Sequence, residues 1–386
     1  MSEWREIKFE EIFDIPLRNG LTKPSKIRGK GIRMVNMKEI FAYDKIDDTT
    51  PMELVPTTDK EKVTLLKYDD LLFARQSLTE AGAGKISIFK GSSETVFESH
   101  LIRVRIDKSI AVPDFVYYYW KSPIGKGTIG TIVTQTAAAG IKGSVLQTLP
   151  IPIPSLEEQR AIASVLSSLD DKIDLLHSQN ETLEKMAETL FRQWFVEEAD
   201  DSWEEGVLGD VIEIFDNKRV PLSKMQRNKM KDGQLYPYYG AASIMDYVND
   251  YLFDGEYILL GEDGTVRTDE GYPVLQYATG KFWVNNHAHI IRAIEPYNNF
   301  FIWNYLSKKN IDRIVTGAVQ PKINQGNLKS LDFPKFPEKL VNEFNEYAHP
   351  FFQKINKNRT QIRSLTALRD TLLPKLMSGE VRVNYE

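Results

Sequence analysis

The chain carries one pattern twice, so any fold it adopts must supply two equivalent frames within 386 residues. Ser99-His100-Leu101-Ile102-Arg103 recurs as Ala288-His289-Ile290-Ile291-Arg292, 189 residues on, and Ile132-Val133-Thr134 recurs as Ile314-Val315-Thr316, 182 on. At 182, Leu146, Leu149 and Pro152 match Leu328, Leu331 and Pro334, while Leu183, Thr189 and Leu190 match Leu365, Thr371 and Leu372. Residues 4–15 match 203–214 at an offset of 199. The copies differ in loop length, not in order.

Each copy ends in a helical seam. Ile162, Leu166, Leu169, Ile173, Leu176, Asn180, Leu183, Ala187, Leu190 and Trp194 alternate steps of four and three, the spacing that keeps one helical stripe against a partner. Pro150, Pro152 and Pro154 forbid helix before it, and Ser155 with Glu158 forms the expected capping box. The second copy offers Phe344, Ala348, Phe351, Ile355, Asn358, Ile362, Leu365, Arg369, Leu372 and Leu376. Antiparallel pairing of the two helices relates the halves by a pseudo-twofold axis. Asn180 and Asn358 interrupt the seam as register-fixing residues or as a partly exposed layer. Pro350 predicts a kink or a restart near Phe351.

The blocks between the helices read as α+β. Residues 70–74, 85–89 and 100–106 are expected strands and 113–120 a short aromatic helix; 256–261, 281–284, 289–294 and 299–306 take those roles in the second block. Asn19-Gly20, Asp232-Gly233, Asp254-Gly255 and Asp263-Gly264 are expected turns. The four segments are a first block 1–154, a helix 155–202, a second block 203–336 and a helix with its tail 337–386. The absence of cysteine excludes disulfides, zinc-thiolate sites and thiol nucleophiles. Residues 1–5 show no signal region and no stretch approaches eighteen apolar residues, so a cytoplasmic location is expected. The net charge of −5 is uneven: residues 155–201 hold 4 Lys/Arg against 12 Asp/Glu, whereas 1–154 hold 22 against 19.

Motifs for catalysis are sparse. Ala81-Gly82-Ala83-Gly84-Lys85-Ile86 lacks the glycine (Thr79 stands there) and the hydroxyl residue (Ile86) that a phosphate loop requires. His287 and His289 alternate along a strand and offer two metal ligands without an evident third. Glu262 with Asp263, or Asp254 with Glu256 and Lys281, offers a nuclease-like carboxylate pair, against a plain turn or strand. The candidate chemistry lies in basic and polar loops. In the first block these are Lys23, Lys26 and Arg28; Arg75, Gln76, Ser77 and Thr79; and Thr134, Gln135, Thr136 and Lys142. In the second they are Lys218, Arg219, Lys224 and Arg227; Tyr238 and Tyr239 in a 236–243 loop; Arg267; and Gln320, Lys322 and Asn324. Lys and Arg contact phosphate, and Arg, Gln and Asn read base edges by paired hydrogen bonds.

The run 149–159, Leu-Pro-Ile-Pro-Ile-Pro-Ser-Leu-Glu-Glu-Gln, resembles the central conserved region of type I restriction-modification specificity subunits. Tyr238-Tyr239-Gly240-Ala241, the run 254–264, the run 280–289 and the ending Leu372-Leu373-Pro374-Lys375-Leu376-Met377-Ser378-Gly379-Glu380-Val381 resemble that family too. The first block departs most, with residues 136–140 reading Thr-Ala-Ala-Ala-Gly where 318–322 read Ala-Val-Gln-Pro-Lys. The resemblance implies a subunit without catalysis or cofactor of its own, binding a split site on double-stranded DNA with one half-site per block. It implies helices that set the spacer and dock two methyltransferase subunits, through which restriction and motor subunits join. S-adenosylmethionine, ATP and Mg belong to those partners. Phe191, Trp194 and Phe195 are then candidate docking surface, or else packing for the second block.

Overall fold

The computed structural model describes residues 4–79, 82–135, 139–200, 202–317 and 319–383. Thr136 of the third candidate loop, Ala81, Ala137, Ala138 and Ala318 lie outside them, as does the Gln135 side chain. The chain forms two compact units, residues 1–175 with 362–386 and residues 176–361. Both long helices cross that division, as Leu156–Arg192 and Glu338–Met377. Each unit therefore owns one globular block and a stretch of each helix.

In the first unit a five-stranded sheet runs in the order Phe13–Asn19, Leu101–Ile106, Leu71–Ala74, Ile86–Phe89, Lys45–Ile46, antiparallel except for its last pair. The second unit orders its first four strands alike, Ile212–Ile214, Ala288–Ala293, Phe253–Gly261 and Leu275–Val284, before Tyr236–Tyr239 and Ile244–Val248. Ile102 faces Phe73 in one block as Ile291 faces Ile258 in the other. The aromatic helices are Pro113–Lys121 and Asn299–Ser307. Pro113 opens the first where a missing N–H costs nothing, and the Asn298 side chain caps the second by accepting from the Phe301 amide. Blocks of mixed α+β architecture thus repeat one strand order.

The helices pair antiparallel within each unit. In the first unit Ile162 and Leu166, near the start of one helix, share a core with Leu373 and Leu376, near the end of the other. Asp170 there accepts from Tyr118 Oη at 2.8 Å and from Arg369 Nη1 at 2.9 Å. In the second unit Ala187 and Phe191 share a core with Phe344, Ala348 and Ile355. Every seam residue named from the sequence is buried or half-buried.

Three expectations change, and one open alternative is decided. The second helix runs uninterrupted through Pro350, so it does not restart at Phe351; Pro350 is exposed, where water can satisfy the carbonyl that loses its amide partner. Of the two readings open for Phe191 and Phe195, packing for the second block holds: both are buried against Phe301 and Phe344 at ring distances of 4.9 to 5.5 Å. Asp254-Gly255 is no turn: the strand continues through it, pairing Asp254 with Lys281 and Gly255 with Gly280. Both of these glycines hold positive φ, 138° and 71°, a conformation only glycine takes without strain. Tyr236–Tyr239, expected in a loop, is a strand paired with Trp283 and Val284 on one side and Ile244–Val248 on the other.

Candidate nucleic-acid interface

The first block gathers two of its candidate loops on a small three-stranded antiparallel sheet. Gln76 and Ser77 pair with Gly140 and Ala139, which pair in turn with Thr134 and Gln135. The Thr79 amide donates to Ser77 Oγ at 3.1 Å, and Thr134 Oγ1 donates to the Gly140 carbonyl at 3.2 Å. Arg75 is half-buried beside this sheet, and Gln76, Thr79 and Lys142 are exposed. The loop at 23–28 is built differently. Lys23 is nearly buried in an ion pair with Glu61 at 2.7 Å. Arg28 bonds Glu53 at 2.5 Å, the Lys23 carbonyl and Asn36 Oδ1. These two cations hold the loop, and Lys26 stands exposed between them without an acidic partner among the described residues.

In the second block the candidate loops meet over a buried polar network absent from the sequence reading. His289, on the strand Ala288–Ala293, places Nδ1 2.6 Å from Asp216 Oδ2 and Nε2 2.8 Å from the Ile323 carbonyl. Both ring nitrogens are therefore engaged by neighbouring oxygens. Asp216 also accepts from Gln325 Nε2 at 2.7 Å and from the Ile290 amide at 3.0 Å. Burial pushes the Asp216 carboxyl up, but the His289 bond and charge, the Ile290 amide and Arg219 together hold it below the usual carboxylate range. Arg219 bonds Glu262 directly and the Ala288 carbonyl at 2.8 Å, and Lys322 reaches Glu262 at 3.3 Å. The network ties loops 216–219, 262–264 and 320–325 into one rigid surface. A histidine set among apolar residues of the strand Ala288–Ala293 is the sequence signal for it.

This arrangement answers the catalytic alternatives. Asp216, Glu262 and His289 bring ligand atoms within 4.8 Å of one another. Arg219 and Lys322 already pair with Glu262, and both imidazole nitrogens of His289 are taken by Asp216 and the Ile323 carbonyl, so the donor set does not fit a metal. His287 and His289 do not act together, because His287 instead faces Asp263 at 2.5 Å on the surface. Glu256 accepts from Tyr277 Oη at 3.2 Å and Asn356 Nδ2 at 3.3 Å, and Lys281 lies over the Tyr251 ring at 4.5 Å. Those contacts are framework, not a nuclease site.

The remaining candidates separate into framework and free surface. Tyr238 and Tyr239 are buried, Tyr238 with Val248 and Trp283 and Tyr239 with Phe253 and Phe282, because their strand is covered on both faces, and Tyr238 Oη accepts from the Leu222 amide at 2.9 Å. Arg227 spans Asp246 at 2.9 Å, the Leu222 carbonyl at 2.6 Å and the Tyr238 face. Arg267 is paired with Asp312 in a cleft that Asp269 and Glu270 also line, a poor setting for phosphate. Asn324 caps the short helix Gln325–Lys329. Lys218, Lys224 and Gln320 are exposed, and neither lysine has an acidic partner among the described residues. Both blocks therefore present free lysines and glutamines: Lys26 on a loop held by partly buried ion pairs, Gln76 and Lys142 beside a small sheet, and Gln320 above the polar network of the second block.

Comparison with known proteins places this frame. The family model "Type I restriction modification DNA specificity domain" matches residues 1–185 and again 200–339. The Type I restriction enzyme MjaIX specificity subunit of Methanocaldococcus jannaschii is 28% identical, with 99% of this chain and 94% of that protein covered. A putative type I restriction enzyme specificity subunit of Haemophilus influenzae is 35% identical over 35% of this chain and 34% of its own length. The crystal structure of a type I restriction-modification S subunit from M. genitalium shares the fold, with a TM-score of 0.62, 18% identity, and coverage of 100% of this chain and 97% of that one. The chain belongs to the type I restriction-modification DNA specificity family, and its part is recognition of DNA, not catalysis.

Proposed function

We propose that each block reads one half of a split duplex target, and that the antiparallel helices set the distance between the halves. The observation that carries this is the common strand order beneath two different sets of polar loops. A copied frame with divergent loops is what two readers of different sequences require. Exposed Lys26, Lys142, Lys218 and Lys224 supply phosphate contacts, and Gln76 and Gln320 supply base contacts. In this reading the working segments are 1–154, 155–202, 203–336 and 337–386.

The helices dock two methyltransferase subunits, through which restriction and motor subunits join. S-adenosylmethionine, ATP and Mg act on those partners, and this chain binds none of them. No helix among the described residues is long and apolar enough to cross a membrane, in keeping with a cytoplasmic complex. Titrating the assembled methyltransferase complex with duplex at several salt concentrations tests the reading. Affinity should fall steeply and linearly on a log–log plot, and salt-insensitive or absent binding overturns it.

A further inference from the structure

Leu78 and Val319 are the two most exposed large apolar side chains among the described residues, at 97% and 100%. Each stands in a candidate loop of a different unit, and each lies within two residues of an exposed glutamine, Gln76 or Gln320. A leucine or valine left fully exposed forgoes the burial that apolar side chains ordinarily gain on folding.

Backbone hydrogen bonds hold the base of each loop. Val319 sits in a hairpin closed by reciprocal bonds between Thr316 and Lys322, at 2.8 and 2.7 Å. Gly317 turns it at φ 85°, where an added Cβ would lie 2.3 Å from the Gln320 carbonyl oxygen. Its base is held by Gly264 N donating to Pro321 O at 3.0 Å and Ile323 N donating to Glu262 O at 2.8 Å, and by His289 beneath Ile323. Leu78 follows the paired residues Gln76 and Ser77, and Gly82 N donates to Thr79 O at 3.1 Å on its other side. The base of each loop is thus held by backbone hydrogen bonds, which lowers the ordering cost of a contact.

On a major-groove edge the one apolar target is the thymine 5-methyl group, and the paired adenine presents the N6/N7 edge that glutamine bonds bidentately. We propose that Leu78 and Val319 each contact a thymine methyl, one in each half-site, with Gln76 and Gln320 reading adenine beside it. This rests on the DNA-recognition reading above and names specificity-determining residues within it.

The test uses the assembled methyltransferase complex and a duplex bearing its methylated site, with each thymine replaced in turn by uracil, which lacks only the methyl group. One position in each half-site should lose about 3- to 10-fold in affinity. Val319→Ala should abolish the penalty in one half and Leu78→Ala that in the other, with thermal midpoints unchanged. Specific binding that persists with no uracil penalty removed by either variant overturns the proposal and leaves the DNA reading intact. Equal losses on thymine and uracil duplexes, as from a wedge between base steps, overturn it, as does a defect confined to assembly with the methyltransferase subunits. A wild-type complex that shows no preference for its site overturns the underlying reading instead.

Discussion

Asn358 Nδ2 donates to Asn180 Oδ1 at 2.9 Å within the helix seam, and both residues are buried. The pair therefore fixes register and is not a partly exposed layer. Asn358→Ala strands the Asn180 amide and should cost about 1 to 3 kcal/mol in chemical denaturation of the purified chain. Replacing both by leucine should raise the denaturation midpoint while loosening register. A double variant less stable than Asn358→Ala would contradict this.

In the proposed reading, helix length sets the gap between half-sites. One heptad inserted at matching points of both helices adds about 10 Å of rise, or about 3 base pairs at 3.4 Å each. Sequencing methylated positions in cells carrying the lengthened subunit should show the spacer enlarged and both half-sites kept. An unchanged spacer refutes the ruler.

Free and committed cations should behave differently. Alanine at Lys26, Lys142, Lys218 or Lys224 should reduce the log–log salt slope of binding by about 0.9 for each phosphate that is no longer neutralised. Arg28→Ala and Arg219→Ala break partly buried ion pairs, Arg219 being 13% exposed, and should lower the thermal midpoint instead. The two readouts, slope and midpoint, sort the residues.

Asp216 makes the second unit acid-sensitive. Its folded carboxyl lies below the ordinary range, so its stabilisation is complete above the unfolded value of about 4 and is lost as pH falls through the folded value. Thermal midpoints between pH 7 and pH 3 should drop more for the natural chain than for Asp216→Asn, which already lacks that contribution at neutral pH. Parallel curves would remove Asp216 from the account.

The frame was legible in the sequence because repetition and helical spacing are local signals. Leu101–Ile106 and Ala288–Ala293 are strands by pattern and by structure, and the seam from Ile162 to Leu372 is inward throughout. What was hidden depends on partners far along the chain. Lys23 and Arg28 look like loop cations until Glu61 and Glu53 arrive beside them. Tyr238 looks like a surface aromatic until Trp283 pairs with it. Val319 reads as an ordinary apolar residue, since nothing local distinguishes a hairpin tip from a buried turn.

Two copies of one frame that read two different half-sites must be separable. Residues 203–336 are exchanged for the equivalent block of a relative, and the methylated positions are sequenced. The expected product is a gapped motif in which one half changes while the other half and the spacer stay. A continuous motif, or simultaneous change in both halves, would contradict it.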